Sequence, residues 1–119
     1  MAKQILIIED DDDIRSILET ALVLYDFDVQ GVERTDDIIE LIKIHGPDLV
    51  LTDYMMPGLN GGQICKMIKT NKDTSHIPVI LMSAYHKSAI DLVNFNYDAY
   101  IPKPFDLKKL VLTINKLLN

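Results

Sequence analysis

The chain has 119 residues, enough for one domain with a single core and too few for two of ordinary size, so a single domain over 1–119 is expected. Hydrophobic residues make up 48% and charged residues 25%, the balance of a folded soluble protein rather than a disordered segment. A net charge of -6 with 12 scattered Lys and Arg argues against direct nucleic-acid binding, and the single Cys65 excludes an internal disulfide. The short apolar run after Lys3 and Gln4 makes neither a signal peptide nor a membrane span, which points to a reducing cytoplasm.

In chain order, apolar runs of strand length alternate five times with stretches of helical period. The first strand is predicted over Gln4–Ile8. The helix after it carries Ile14, Ile17, Leu18, Ala21, Leu22 and Tyr25 at i, i+3, i+4, i+7 spacing, a stripe expected to face a sheet. A second strand, Asp28–Val32, leads to a helix capped by Thr35, running through Ile38, Leu41 and Ile42 and stopped by Gly46 and Pro47. The third strand is Asp48–Thr52, with a helix following Gly61 and Gly62. The fourth is Ile77–Met82, with a helix beginning near Lys87. The fifth is Ala99–Ile101, followed by a helix from Asp106 whose buried stripe is Leu107, Leu110, Val111, Ile114 and Leu117. ILII, LVL and VILM are apolar without alternation, as parallel strands covered on both faces require. Right-handed crossovers then produce an α/β, doubly wound parallel sheet with its ligand site at the carboxyl ends of the strands.

Five consecutive carboxylates, Glu9 to Asp13, stand where the first strand ends and the first helix begins. Asp11, Asp12 and Asp13 read as cap and first-turn residues favoured by the helix dipole. Glu9 and Asp10 exceed what a cap needs. With the first and third strands as neighbours, they converge with Asp53 at the crevice, and three hard oxygen donors there suit Mg²⁺ or Mn²⁺. Ser83 ends the fourth strand and Lys103 the fifth. A hydroxyl, the Ala84 N–H and an ammonium opposite a carboxylate and a divalent cation form a cradle for a tetrahedral oxyanion, read as a phosphoryl group.

In ILIIEDDDDIR, PDLVLTDYMMPGLNG, IPVILMSA and AYIPKPF, in that order and spacing, the chain resembles the receiver domains of two-component response regulators over essentially its whole length. The resemblance implies a flavodoxin-like (βα)5 three-layer sandwich with strand order 2-1-3-4-5. It implies that Asp53 accepts phosphate from a sensor histidine kinase or histidine phosphotransfer protein. Mg²⁺ would be held by Asp10 directly, Glu9 through water, Asp53, and the backbone carbonyl of Met55. Ser83 is implied as the switch hydroxyl, Tyr100 as the switch aromatic that turns inward, and Lys103 as the phosphate-pairing lysine before a cis bond to Pro104. The responding surface is expected on the fourth helix, fifth strand and fifth helix, serving a downstream protein, a covalent output domain or a dimer. Departures are Glu9 for the commoner Asp, Ser83 for Thr, and Asn96 in place of a glycine before the fifth strand.

Two other classes share parts of this pattern. A Mg²⁺ phosphohydrolase shares the acids, but no second in-line acid or base stands near Asp53. A flavodoxin-like FMN binder shares the fold, but its first loop should cradle phosphate with glycines and hydroxyls, whereas Glu9 to Asp13 repel it. In receiver domains the positions two beyond the acceptor Asp and the switch hydroxyl flank the path of attacking water, so the resemblance implies that the bulky Met55 and Tyr85 there make the phosphoryl group persist.

Overall fold

Backbone groups inside a parallel sheet are satisfied only by neighbouring strands, and both faces must be covered. The apolar runs accordingly become the centre of the molecule. The computed structural model describes residues 2–119. Its elements are β1 (Gln4–Ile8), α1 (Asp12–Leu24), β2 (Asp28–Val32), α2 (Ile38–His45), β3 (Leu49–Asp53), α3 (Gly61–Thr70), β4 (Val79–Ser83), α4 (Lys87–Ile90), β5 (Ala99–Pro102) and α5 (Leu107–Leu118). All pairings are parallel and the strand order is β2-β1-β3-β4-β5, as expected.

The period-2 geometry of the strands divides their residues between two cores. Ile5, Ile7, Leu49, Leu51, Ile80 and Met82 pack with Leu18 and Leu22 of α1 and Leu110 and Ile114 of α5. Leu6, Ile8, Val50, Val79 and Leu81 pack on the opposite face with Ile38 and Ile42 of α2 and Ile64 and Ile68 of α3. β3 and β4 are buried along their whole length. They therefore bring their last residues, Asp53 and Ser83, to the rim from a rigid base.

Several local expectations are corrected. Asp37, not Thr35, caps α2: its carboxylate accepts from Glu40 N–H, while the Thr35 hydroxyl accepts from Asp37 N–H and shapes the approach. The stripe of α1 is narrower than its spacing suggests. Leu18 and Leu22 are buried, but Ile17 and Tyr25 are exposed, because the sheet covers less than half of the helix and Tyr25 is already its C-cap. The strand pairings carry β3 through Asp53 and β4 through Ser83, and α4 is a single turn capped by His86. Asn96 takes the left-handed conformation, φ 62°, as its side chain tolerates.

Candidate functional site

Four strand ends and the loops behind them build one cleft. Glu9 follows β1 directly, and the end of that strand is fixed when Glu9 N–H donates to Val32 O on β2. Asp11 caps α1 by accepting from Ile14 N–H, and Asp12 and Asp13 occupy the first turn. The helix thus uses three of the five acids, leaving Glu9 and Asp10 for the cleft. One carboxylate oxygen each from Glu9, Asp10 and Asp53 lies within 4.8 Å of the others. This is a set of hard donors suited to a small divalent cation.

Lys103 arrives from the far end of the chain. Its Nζ donates to Glu9 Oε1 at 2.6 Å and pairs with Asp53 Oδ1 at 3.0 Å. Glu9 Oε2 also accepts from Asp11 N–H at 3.3 Å, so both Glu9 oxygens are engaged, whereas Asp10 accepts no hydrogen bond from the described residues. Burial pushes the Glu9 and Asp53 carboxyls above the usual range, more strongly than the Lys103 hydrogen bonds lower them. Charge adds to this: Asp53 raises Glu9, and Asp10 raises Asp53. Burial disfavours the Lys103 ammonium, yet its hydrogen bonds to Glu9 and Asp53 hold its pKa above the ordinary lysine value. The cleft is therefore a crowded anionic site with one fixed cation.

Asp53, Met55, Ser83, Ala84, Tyr85 and Lys103 line an open cleft of about 340 Å³. Ser83 Oγ accepts from Tyr85 N–H at 2.9 Å. The Tyr100 hydroxyl donates to the carbonyl of Tyr85 and lies 3.4 Å from that of Ser83. Tyr85 is thus gripped from both sides. The Lys103–Pro104 peptide is cis. Of the residues named from sequence, Asp53, Met55, Ser83, Ala84, Tyr85 and Lys103 line this cleft, Glu9 and Asp10 lie beside Asp53, and Tyr100 bonds to the loop through Tyr85, while α4 is a single turn. Cys65 plays no part, since it is buried against the Phe95 carbonyl and burial pushes its thiol up to about 12.

Two further residues help to build the site: Gly61, expected ahead of the third helix but found as its first residue, and Arg15, which was not singled out from sequence. Gly61 begins α3 directly beneath Asp53, and its N–H donates to Tyr54 O at 2.9 Å. An added Cβ there would stand 2.2 Å from the Asp53 carbonyl oxygen. Arg15, the cation closing IIEDDDDIR, folds back to the Glu9 carbonyl at 2.8 Å. Its spacing from Asp12 and Glu19 was a legible signal for a helix-surface pair, but not for this backward contact.

If Asp10 is the carboxylate free to ligate and Glu9 is held by Lys103, Asp10→Ala should weaken Mg²⁺ binding about tenfold and Glu9→Ala by less. Titration calorimetry of both variants checks this, and equal losses would contradict it.

Known proteins share the sequence pattern and the fold over most of the chain. The family model described as "Response regulator receiver domain" matches residues 5–115. The chain is 37% identical over 123 residues to the transcriptional regulatory protein CseB of Streptomyces avermitilis, covering 99% of this chain and 51% of that protein. It is 31% identical over 120 residues to the phosphate regulon transcriptional regulatory protein PhoB of Pseudomonas aeruginosa, covering 99% and 52%. The chain thus spans about half the length of the curated relatives it matches. Among solved structures, a putative response regulator from Chloroflexus aurantiacus superposes with a TM-score of 0.91 at 25% identity, covering 99% of this chain and 98% of that one. The response regulator protein TrrA of Thermotoga maritima, crystallised in complex with Mg²⁺ and BeF, superposes at 0.86 with 28% identity, covering 98% and 99%. No helix of the described residues is long and apolar enough to cross a membrane. With fold, acidic strand ends and family match coinciding over the same residues, the chain belongs to the response regulator receiver domain family of two-component signalling.

Proposed function

We propose that Asp53 takes a phosphoryl group from the phosphohistidine of a sensor histidine kinase or histidine phosphotransfer protein in the cytoplasm. The observation that carries this reading is the Lys103 ammonium held between Glu9 and Asp53 at 2.6 and 3.0 Å, beside Asp10, which accepts no hydrogen bond from the described residues. An Asp53 oxygen attacks phosphorus in line as the phosphorus–nitrogen bond breaks, and the electron pair leaves with the imidazole. Lys103, the Ser83 hydroxyl and the Ala84 N–H receive the phosphoryl oxygens. Asp10, Asp53, the Met55 carbonyl and, through water, Glu9 would hold Mg²⁺ or Mn²⁺, which when bound supplies charge that neutralises those oxygens. The chain's own catalysis is limited to this self-phosphorylation and to hydrolysis of the acyl phosphate, in which water takes the phosphoryl group as inorganic phosphate and Asp53 returns to the carboxylate.

The new dianion draws the Ser83 hydroxyl away from Tyr85 N–H, and Tyr100, bonded to the carbonyl of the same residue, feels the loop move. The responding surface is the single turn of α4 together with β5 and α5. It serves a downstream protein, a covalent output domain or a second copy. The test is treatment with acetyl phosphate and Mg²⁺ followed by intact-mass and peptide analysis. One phosphoryl group on the peptide containing Asp53 is expected, and labelling elsewhere or none at all overturns the reading.

Met55 and Tyr85 are exposed side chains on the cleft wall. A thioether offers no useful donor to orient water, and the Tyr85 ring narrows its approach. The phosphorylated parent should therefore lose phosphate about tenfold more slowly than Met55→Asn combined with Tyr85→Glu. Release of inorganic phosphate in Mg²⁺ measures this, and a parent as fast as the double variant sinks the shielding explanation.

A further inference from the structure

We infer that Arg15 is a positioning residue for the divalent-cation site, acting through the main chain of the loop that carries Asp10; this rests on the cation-binding reading of Glu9, Asp10 and Asp53. Arg15 lies in the first turn of α1, and its side chain is only 19% exposed. One guanidinium nitrogen donates to the Glu9 carbonyl at 2.8 Å and another to Asp12 Oδ1 at 2.6 Å. Its Nε also lies 3.9 Å from Glu19 Oε1.

The Glu9 carbonyl belongs to the peptide that joins Glu9 to Asp10. It lies one residue past the end of β1, where the sheet ladder stops, so its orientation is set by whatever donor reaches it. Arg15 is that donor. The other polar atoms of Glu9 are committed as well: N–H to Val32 O, Oε1 to Lys103 and Oε2 to Asp11 N–H. The guanidinium thus closes a frame around Glu9 from which Asp10 projects into the cleft. A planar fork suits this task because it spans a carbonyl and a carboxylate at once, which a single ammonium on a flexible stem does not.

Charge and geometry make opposite predictions here, which lets an experiment separate them. Arg15 is a cation near a cation site, so electrostatics alone says that removing it tightens Mg²⁺ binding. Loss of positioning says that binding weakens, by about fivefold or more, as for other groups that orient metal ligands. The experiment is Mg²⁺ titration by calorimetry on the parent, Arg15→Gln and Arg15→Lys, with circular dichroism and thermal melts to confirm folding. Arg15→Gln is expected to bind Mg²⁺ about fivefold more weakly despite losing the opposing charge. Arg15→Lys keeps the charge, so its weaker binding, about twofold to fivefold, reports geometry alone even where the glutamine variant folds poorly. Binding by Arg15→Gln as tight as the parent or tighter, or unchanged binding by Arg15→Lys, overturns the role of Arg15. A parent that binds no Mg²⁺ overturns the cation site itself and the inference with it.

Discussion

Asp53→Asn should abolish phosphoryl uptake from acetyl phosphate while making the protein more stable near neutral pH. The first effect follows from chemistry, since a neutral carboxamide is a poor nucleophile toward phosphorus and cannot form the acyl phosphate. The second follows from the cost of the site. Burial holds the folded-state pKa values of Glu9 and Asp53 above their ordinary values, and the charge of Asp53 on Glu9 and of Asp10 on Asp53 adds to the shift. A carboxyl with a raised folded pKa binds protons more tightly in the native state than in the unfolded chain. Stability therefore falls as pH rises from the unfolded pKa through the folded one, so the cost grows toward neutral pH. Asparagine removes the buried charge of Asp53 and its repulsion of Glu9, while Lys103 keeps its 2.6 Å partner in Glu9. The gain should be about 1 to 2 kcal/mol, or about 4 to 8 °C in Tm, at pH 7. It should shrink toward zero as the pH approaches 4, where the parent carboxyls take up protons anyway. Thermal melts of both proteins across that range check this. A variant less stable than the parent at pH 7, or a difference that grows toward acid, would contradict it.

Gly61→Ala should be among the most damaging single methyl groups that can be added to the chain. At the first position of a helix, alanine is ordinarily better than glycine by up to about 1 kcal/mol. Here the sign reverses because of contact. The new Cβ would stand 2.2 Å from the Asp53 carbonyl oxygen, 2.9 Å from its carbon and 2.7 Å from Leu81 Cδ1. A leucine methyl can move; the backbone of Asp53, inside the wholly buried β3, cannot move without opening the sheet. The expected loss is about 3 kcal/mol, equivalent to about 10 °C in Tm. The relaxation that remains should displace Asp53 and weaken Mg²⁺ binding as well. Calorimetric melting and a Mg²⁺ titration test both, and a variant as stable as the parent would mean that α3 shifts freely against β3.

The capping of α3 explains why it does not shift freely. Asn60 and Gln63 bond reciprocally, Asn60 Oδ1 accepting from Gln63 N–H and Gln63 Oε1 from Asn60 N–H, at 2.8 and 2.9 Å. This capping box fixes the helix start within a residue of the glycine. A glycine near the start of the third helix was legible in the sequence, but the reason for a glycine at 61 was not. It depends on how closely α3 passes beneath β3.

The same division runs through the rest of the molecule. Periodicity is local, and the unbroken apolar runs in β1, β3 and β4 announce strands covered on both faces. Acids and a lysine next to such runs announce a site at the carboxyl edge, because a parallel sheet turns every strand end the same way. Surface contact is not local. Ile17 and Tyr25 keep helical spacing yet stay exposed, since the packing of α1 on the sheet, not its sequence, sets the width of the buried stripe. The choice of Asp37 over Thr35 as cap depends on which residue the entering backbone leaves extended. Residue types and their order, then, already determined the parallel α/β architecture and the acids, hydroxyl and lysine at its rim. Only the tertiary structure decided that Lys103 neutralises Glu9 across 94 positions of chain, that Asp10 accepts no hydrogen bond from the described residues, and that Arg15 turns back to the Glu9 carbonyl. These are pairings between atoms whose separation is set by the fold, and a buried charge takes whichever partner the fold places within reach.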